Sequence, residues 1–293
     1  MTTHSLVLGF TAETAMHAGA STSNHVIDLP IMREHNTGWP VVFGSAVKGA
    51  LRAKAEMNEL AKETLFTLFG PDTNNASDHA GSLMIGDARL LLLPVRSLTS
   101  QYRYVTSPDL LARWQRDAAR AGVQLPEFSI PQPADNVALV SDACKTKDLF
   151  LEEFVFSTDG TVISAELLSA LARVSGRSEQ EIAQKITIVS DDQFSILCRS
   201  AIPVNAHIAI DNATKTVKRG ALWYEESLPA DTVLYSVIGA QKSRNTEQPL
   251  SAGEVLALFN AELIQPRTYL QLGGNETTGM GWCKVQVVQG GAV

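Results

Sequence analysis

The chain has 293 residues, of which 45% are hydrophobic and 19% are charged, and its formal net charge is −7. This composition is ordinary for a globular protein and excludes the disordered, collagen-like and disulfide-scaffold classes. The acidic balance also excludes nucleic-acid binding through global charge alone, so such a role would need local basic patches.

Targeting signals and cysteine usage limit the cellular location. No apolar run approaches the ~20 residues of a membrane-spanning helix, and residues 1–9 lack the pattern of a secretory signal. We therefore expect no membrane partner. Cys144, Cys198 and Cys283 are odd in number, widely spaced and without zinc-site spacing. Isolated thiols are typical of a reducing compartment, which predicts a cytoplasmic protein.

The first half of the chain predicts one long polar loop among regular elements. Long ordered loops inside compact domains usually serve a function. Ser45 is predicted as the N-cap of a helix that ends before Gly70-Pro71. The predicted elements are a strand at 5–10, the polar loop at 11–44, a helix with a break to residue 69, a polar stretch at 72–82, a strand at 83–93 and a helix at 108–120.

The second half alternates short strands with helices. Turn-forming residues around Asp211-Asn212 and Lys215 predict a β-hairpin. The other predicted elements are helices at 164–174, 178–185 and 252–263, and strands at 186–189, 202–210, 217–224, 234–238, 269–272 and 282–288. No repeat of 20–50 residues occurs, which argues against a solenoid. The order favours a βαββαβ-type α+β core with insertions, and the absence of a linker predicts a single domain over 1–293.

Asp28 stands out in the polar loop, because Ile27 and Leu29-Pro30 confine its backbone. An acidic group there could ligate a metal, act as a general base or form a surface ion pair. For an arbitrary loop aspartate, a turn or capping role is the commoner one. His17, His25 and His35 lack the spacing of a compact metal motif, so a zinc site held by the chain is not predicted.

A basic segment follows at Gly44 to Lys54. Lys48 and Arg52 lie four residues apart and therefore share a helix face near the predicted helix start. The segment lacks the Gly-Lys-Ser/Thr order of a phosphate-binding loop, which disfavours a nucleotide hydrolase. A solvated helix face and contact with a phosphate backbone remain equal alternatives here.

Three further segments contain residues that could contact a ligand or a nucleic acid. Residues 273–282 are rich in glycine, which permits close backbone approach, but they lack dinucleotide-motif spacing and also fit a tight β-turn. Residues 223–226 place aromatic residues beside carboxylates, which suits base stacking or an ordinary sheet edge. Arg96, in residues 94–97, suits a phosphate contact or a plain turn.

Taken in this order, the motifs strongly resemble the RAMP superfamily of CRISPR proteins, specifically the repeated backbone subunit of the type III-B (Cmr) effector complex. The resemblance runs from about residue 11 to 288, and its most specific parts are residues 44–52 and 273–282. Two positions depart from the family pattern. Ser21 replaces the second glycine of an early His-x-Gly-x-Gly, and Met32 replaces the glutamine of Pro-Ile-Gln-Arg-Glu. Neither departure touches Asp28.

The resemblance implies a modified RRM-like (ferredoxin-like) palm with insertions and a β-hairpin thumb at about residues 200–225. Such subunits stack along a CRISPR RNA guide and cut the paired target RNA at regular intervals, where the thumb displaces a nucleotide. The implied partners are the guide, the complementary target RNA, further copies of the chain in a filament and the other subunits of the complex.

The resemblance also implies roles for individual residues. Asp28 falls at the position of the catalytic acid and would also bind Mg²⁺ or another divalent ion, while His17 and Glu225 fall at supporting catalytic positions. Attack by the 2′-OH of the target would give a 2′,3′-cyclic phosphate. The residues expected to contact RNA are Ser45, Lys48, Arg52, Arg33, Arg96, Gly273, Gly274 and Gly279.

Two other functions stay open at this point. A related backbone subunit could hold RNA without cutting it, and its binding motifs would look the same. A free metabolic enzyme could use the glycine-rich segment for a nucleotide, although both phosphate-binding fingerprints fail.

Overall fold

The computed structural model describes residues 4–20, 26–71, 80–141, 147–159, 163–245 and 248–292. Its helices are α1 (Gly44–Met57), α2 (Lys62–Phe69), α3 (Pro108–Arg120), α4 (Ala165–Ser175), α5 (Glu179–Lys185), α6 (Asp191–Ser200) and α7 (Ala252–Phe259), the last extended by a π-helical turn at Asn260–Ile264. Its strands are β1 (His4–Ala12), β2 (Val41–Val42), β3 (Leu83–Ile85), β4 (Ala88–Ser97), β5 (Gln101–Thr106), β6 (Val137–Val140), β7 (Asp148–Leu151), β8 (Phe154–Asp159), β9 (Ile186–Ile188), β10 (Val204–Ile210), β11 (Val217–Glu226), β12 (Val233–Ala240), β13 (Tyr269–Gln271) and β14 (Trp282–Ala292).

The centre of the fold is the run β14-β1-β12-β4 within a 12-stranded sheet of the described chain. All three pairings in this run are antiparallel. β1 and β4 are therefore parallel to each other with β12 between them, and β12 and β14 are parallel with β1 between them. With α1 and α7 as the connecting helices, these are two interlocked split βαβ units. The expected α+β, ferredoxin-like palm is confirmed.

Helices cover both faces of the palm sheet. Side chains alternate along β1, so Leu8 packs with α1 and α7 in one hydrophobic cluster, whereas Val7 packs in a second cluster with α3 and α4. In that second cluster, the Trp114 ring of α3 meets the Tyr235 ring of β12 at 4.9 Å. The sheet is thus the middle layer of three.

An insertion between β4 and the hairpin supplies the second helical layer. It adds β5, β9, β6, β8 and β7 to the sheet beyond β4, with parallel pairings at β5–β9 and β6–β8. Tyr102 of β5 donates a hydrogen bond to Asp231 at 2.9 Å, and Arg177 forms an ion pair with the same carboxylate. These contacts fasten the insertion to the start of β12.

Two predictions about local structure are wrong. Ser45 is not the N-cap of α1, because the helix begins at Gly44 and the Gly44 N–H donates instead to the Asp87 carboxylate at 2.7 Å. The predicted single strand at 83–93 is two strands, interrupted at Gly86-Asp87. Both differences have one cause, since Asp87 leaves the strand ladder to cap α1.

The predicted hairpin forms a separate two-stranded sheet of β10 and β11. At its tip, the Asp211 carboxylate accepts hydrogen bonds from the backbone N–H groups of Ala213 and Thr214 at 2.9 and 3.1 Å. His207 and Trp223 stack across the strands with ring centroids 5.5 Å apart. Its exposed large apolar side chains are Val204, Ile208, Ile210, Val217, Leu222 and Tyr224.

Some sequence positions of interest lie outside the described residues. They are Ser21, His25, Cys144 and most of the predicted polar stretch. Cys198 and Cys283 are free and buried, and burial raises the pKa of both thiols to about 12. Within the described ranges, no helix has the length and apolar character needed to cross a membrane.

Candidate active site

Asp28 is held at the base of the hairpin. One oxygen of its carboxylate accepts a hydrogen bond from the backbone N–H of Tyr224 at 2.8 Å. The adjacent Leu29 pairs with β11, because its N–H donates to the Tyr224 carbonyl and its carbonyl accepts from the Glu226 N–H, both at 3.0 Å. Asp28 itself is exposed. The loop at residues 26–33, here called the Asp28 loop, thus presents a fixed carboxylate to solvent.

His17 lies buried behind this loop. Its Nδ1 is 2.7 Å from the backbone carbonyl of Glu226. A carbonyl only accepts, so Nδ1 carries the proton and Nε2 is the acceptor of the neutral ring. A Cβ at position 19 would lie 2.7 Å from Nε2. Gly19 therefore provides the space that the imidazole occupies.

Glu225 connects the hairpin to the glycine-rich loop, residues 273–281. Its buried carboxylate accepts a hydrogen bond from the Asn275 side-chain amide at 2.5 Å. Asn275 has a positive φ of 60°, a conformation that asparagine tolerates better than most residues. Sequence reasoning did not select Asn275, because only the fold brings it to β11.

The glycine-rich loop approaches the His17 backbone. Gly274 donates a hydrogen bond to the His17 carbonyl at 2.8 Å. Gly273 has a φ of +89°, and a Cβ there would lie 2.4 Å from the same carbonyl oxygen. Gly279 also has a positive φ, +82°, but no described heavy atom lies within 4 Å of its Cβ position. Gly273 thus permits close contact with the His17 carbonyl, whereas Gly279 provides the positive φ that the turn requires.

Two of the arginines expected to contact RNA already bind protein groups. Arg33 pairs with the Glu226 carboxylate and donates to the carbonyls of Gly38 and Cys198 at 2.9 and 3.0 Å. Arg96 pairs with Glu152 at 2.8 Å, yet 73% of its side chain stays exposed. The structure brings Arg33, but not Arg96, into contact with the residues around Asp28.

The remaining RNA-binding candidates lie on α1. Ser45 is exposed in its first turn. Arg52 pairs with Glu56 at 2.9 Å and donates to the Gly70 carbonyl at 3.0 Å, which ties α1 to the end of α2. Lys48 is half-buried, and no described side chain or carbonyl pairs with its ammonium group. Lys48 is therefore the α1 cation best placed to receive an external anion.

A groove runs along α1 from the Asp28 loop. Its first part is a cavity of about 410 Å³ between small residues of α1, such as Gly49, and the glycine-rich loop. It continues past Gln271 into a cavity of about 530 Å³ beside Tyr269 and Trp282. Lys54 lines this second part, where burial, with a smaller effect of nearby Arg267, lowers its pKa to about 8. We call the two cavities together the α1 groove.

The donor set around Asp28 fits only a metal ion that is held largely by other molecules. In the described ranges, no group of three or more His, Cys, Asp or Glu side chains could hold a metal. Mg²⁺ prefers oxygen ligands, keeps several waters and is commonly bound through one or two carboxylates plus substrate phosphates. The exposed carboxylate of Asp28 meets that requirement as a single protein ligand.

Comparison with known proteins identifies the family. The RAMP superfamily profile matches residues 9–284. This chain therefore belongs to the RAMP superfamily, in agreement with its palm and its late glycine-rich loop.

Two curated relatives extend over nearly the whole chain. One, from Pyrococcus furiosus, is named CRISPR system Cmr endoribonuclease Cmr4 and is 37% identical over 283 residues, which covers 95% of this chain and 94% of the relative. The other, from Saccharolobus solfataricus, is named CRISPR system CMR subunit Cmr4 and is 27% identical over 299 residues, or 92% of each chain.

Solved structures agree with the palm-and-hairpin fold. The oligomeric Cmr4 of Pyrococcus furiosus superposes with a TM-score of 0.76 at 31% identity, covering 99% of this chain and 98% of that one. A chain of a type III-B Cmr-beta complex bound to cognate target RNA superposes with a TM-score of 0.75 at 22% identity, covering 97% of each chain. At 22% identity, the second comparison supports only the similarity of fold.

Proposed function

We propose that this chain is the guide-holding and target-cutting backbone subunit of a type III-B CRISPR effector complex. The observation that carries the proposal is the 37% identity, over 95% of the chain, to a protein named as a Cmr endoribonuclease. The fixed and exposed carboxylate of Asp28 at the base of the hairpin supports the activity. Its proposed partners are the CRISPR RNA guide, the paired target RNA, further copies of the chain and the other subunits, in the cytoplasm.

The proposed reaction uses the target RNA's own 2′-OH. Its oxygen attacks the adjacent phosphorus, the bond to the 5′ oxygen breaks, and the leaving oxygen takes up a proton. The products are a 2′,3′-cyclic phosphate and a 5′-OH. Asp28 accepts the 2′-OH proton or ligates a divalent ion, and His17 and Glu225 hold supporting positions. A bound Mg²⁺ would neutralise charge on the phosphate.

The hairpin supplies the geometry for this attack as a thumb. Its exposed apolar side chains suit insertion into a base stack, and Asp28 lies at its base. An A-form helix does not place the 2′-OH in line with the scissile bond. Displacing one nucleotide costs a few kcal/mol but frees the backbone to reach in-line geometry.

The α1 groove is the proposed track for the guide backbone. Small residues along α1 and the glycines of the facing loop leave room for a phosphate chain. Lys48, which precedes Gly49 of this lining on α1, offers a cation that no described group pairs. Sequence is then read by base pairing with the guide, while the protein contacts backbone and shape.

Replacing Lys48 by alanine is expected to weaken guide retention at least about tenfold, because a charge-assisted phosphate contact is lost. The slope of the logarithm of the binding constant against the logarithm of salt concentration should also fall in magnitude by about one. Both are measured from RNA content and binding isotherms of the purified complex. Lys62→Ala, a lysine loss on α2 instead of α1, is the matched control. Equal guide retention in Lys48→Ala and Lys62→Ala would contradict the role of Lys48.

Removal of divalent ions is expected to stop cleavage while the complex keeps its guide and its target. The test compares the assembled complex in chelator, in Mg²⁺, and in chelator with NaCl at matched ionic strength. Only added Mg²⁺ should restore product, because NaCl screens charge but supplies no divalent ion to bind the Asp28 carboxylate directly. Undiminished cleavage in chelator would assign Asp28 to proton transfer alone.

The function itself is tested by incubating the assembled complex with complementary target RNA. A ladder of products at a regular interval, each ending in a cyclic phosphate, is the expected result. A complex that binds the target but leaves it intact would make this chain an RNA-holding scaffold.

A further inference from the structure

Glu226, the last residue of β11, contacts both the Asp28 loop and His17 through its backbone. Its N–H donates to the Leu29 carbonyl at 3.0 Å. Its carbonyl accepts from His17 Nδ1 at 2.7 Å. One peptide segment thus fixes the residue next to Asp28 and orients the imidazole.

The Glu226 side chain binds the same loop further along. One carboxylate oxygen accepts the backbone N–H of Ile31 at 3.0 Å, and the other pairs with the Arg33 guanidinium. Only 4% of the Glu226 side chain is exposed. A carboxylate so far from water is retained only with strong partners, and here both partners belong to the Asp28 loop.

These contacts occur at every second residue of an extended segment. Leu29, Ile31 and Arg33 alternate along the loop, so their contacts with Glu226 define a single register of the loop against β11. Asp28 precedes this segment, and its own bond to Tyr224 forms only in that register. Arg33 reaches further, to the carbonyl of Cys198 near the end of α6.

We propose that Glu226, paired with Arg33, is a positioning residue for RNA cleavage. It sets the register of the Asp28 loop and the orientation of His17 without touching the substrate. The inference rests on the proposed function, since it concerns the rate of the reaction assigned to Asp28.

The test is Glu226→Gln in the complex assembled with its guide and partner subunits. Glutamine keeps the size but cannot accept from both Ile31 and Arg33, so the loop loses one fixed point. The cleavage rate with bound, saturating target is expected to fall about 10²-fold, as small misplacements of reacting groups do. Target affinity should stay within about twofold. The pH–rate profile should keep its shape, because Glu226 exchanges no proton in the proposed reaction.

Glu34→Gln is the matched control. Glu34 forms a comparably buried pair with Arg113 at 2.7 Å, with 15% of its side chain exposed. It has no contact with residues 28–31 among those described. Its loss should lower the melting temperature but leave the cleavage rate within about twofold. Equal rate losses in the two variants would reduce Glu226 to general stabilisation, and an unchanged rate in Glu226→Gln would overturn the proposal.

Arg33→Lys keeps the test decisive if Glu226→Gln fails to assemble. Lysine retains a charge opposite Glu226 but lacks the guanidinium fork that also reaches Gly38 and Cys198. The rate is expected to fall at least about tenfold, and a normal rate would again overturn the proposal.

Asp28→Asn, run in parallel, separates the proposed function from the positioning role of Glu226. Normal cleavage by Asp28→Asn would refute the proposed function itself, whereas a normal rate in Glu226→Gln beside an inactive Asp28→Asn would refute only the positioning role.

Discussion

Asp28→Ala is expected to abolish target cleavage, with a rate loss of about 10²–10⁴-fold from the missing acid–base group alone. The carboxylate is exposed and oriented by the Tyr224 N–H, so its removal deletes the proposed base or metal ligand and leaves the palm intact. The measurement is product formation by the assembled complex on end-labelled target RNA. Guide content and target affinity should match the wild type.

Two further variants separate chemistry from local structure. Asp28→Asn keeps an oxygen for the Tyr224 N–H but loses the charge, and it should be as inactive as the alanine variant. Asp191→Asn removes another aspartate that accepts a backbone N–H, that of Asp109 at 2.9 Å, on the insertion. This control should cut normally. A wild-type ladder from Asp28→Ala would move the reaction to another residue or a partner subunit.

Gly273→Ala is expected to lower the free energy of unfolding by about 2–5 kcal/mol. A side chain at its φ of +89° costs about 1–2 kcal/mol, and a Cβ only 2.4 Å from the His17 carbonyl adds a packing clash of about 1–3 kcal/mol. Denaturant unfolding measures the loss. The clash also displaces the His17 backbone, so cleavage by assembled complexes should fall as well.

Gly279→Ala is the control for this second change. Its φ of +82° carries the same backbone cost, but no described atom lies near the added Cβ. The expected loss is about 1–2 kcal/mol, with cleavage retained. Equal unfolding losses at positions 273 and 279 would show that close approach to His17 is not what requires glycine.

The palm could be predicted because its elements carry strong local signals. Apolar spacing in α1 and α7, and the turn residues around Asp211, identified the split βαβ units and the hairpin. The strands β5 to β8 were missed because they are short, with four to six residues each. Helix α6 was missed although Ser190 caps it by accepting from Gln193. The capping role of Asp87 was not predicted, because capping a helix that starts 43 positions earlier leaves no local signature.

The site was predictable only in part for a similar reason. Family resemblance pointed to Asp28, His17 and Glu225, but the partners that hold them lie far away in sequence, such as Tyr224 for Asp28, 196 positions away. Charge alone could not distinguish the two α1 cations that were expected to contact RNA. Arg52 is bound to Glu56, whereas Lys48 is not among the paired residues of the described structure. The contribution of any of these residues to RNA binding stays a prediction.

The covered second face of the palm has a consequence for recognition. In RRM domains, aromatic side chains on the open sheet face stack on bases, and that platform confers sequence preference. Here Val7 and Tyr235 occupy that face beneath α3 and α4. Among the described residues, this face of the palm sheet therefore leaves no open platform on which bases could stack. Under the proposed function, such a palm would hold guides of different sequences through the same contacts to backbone and shape.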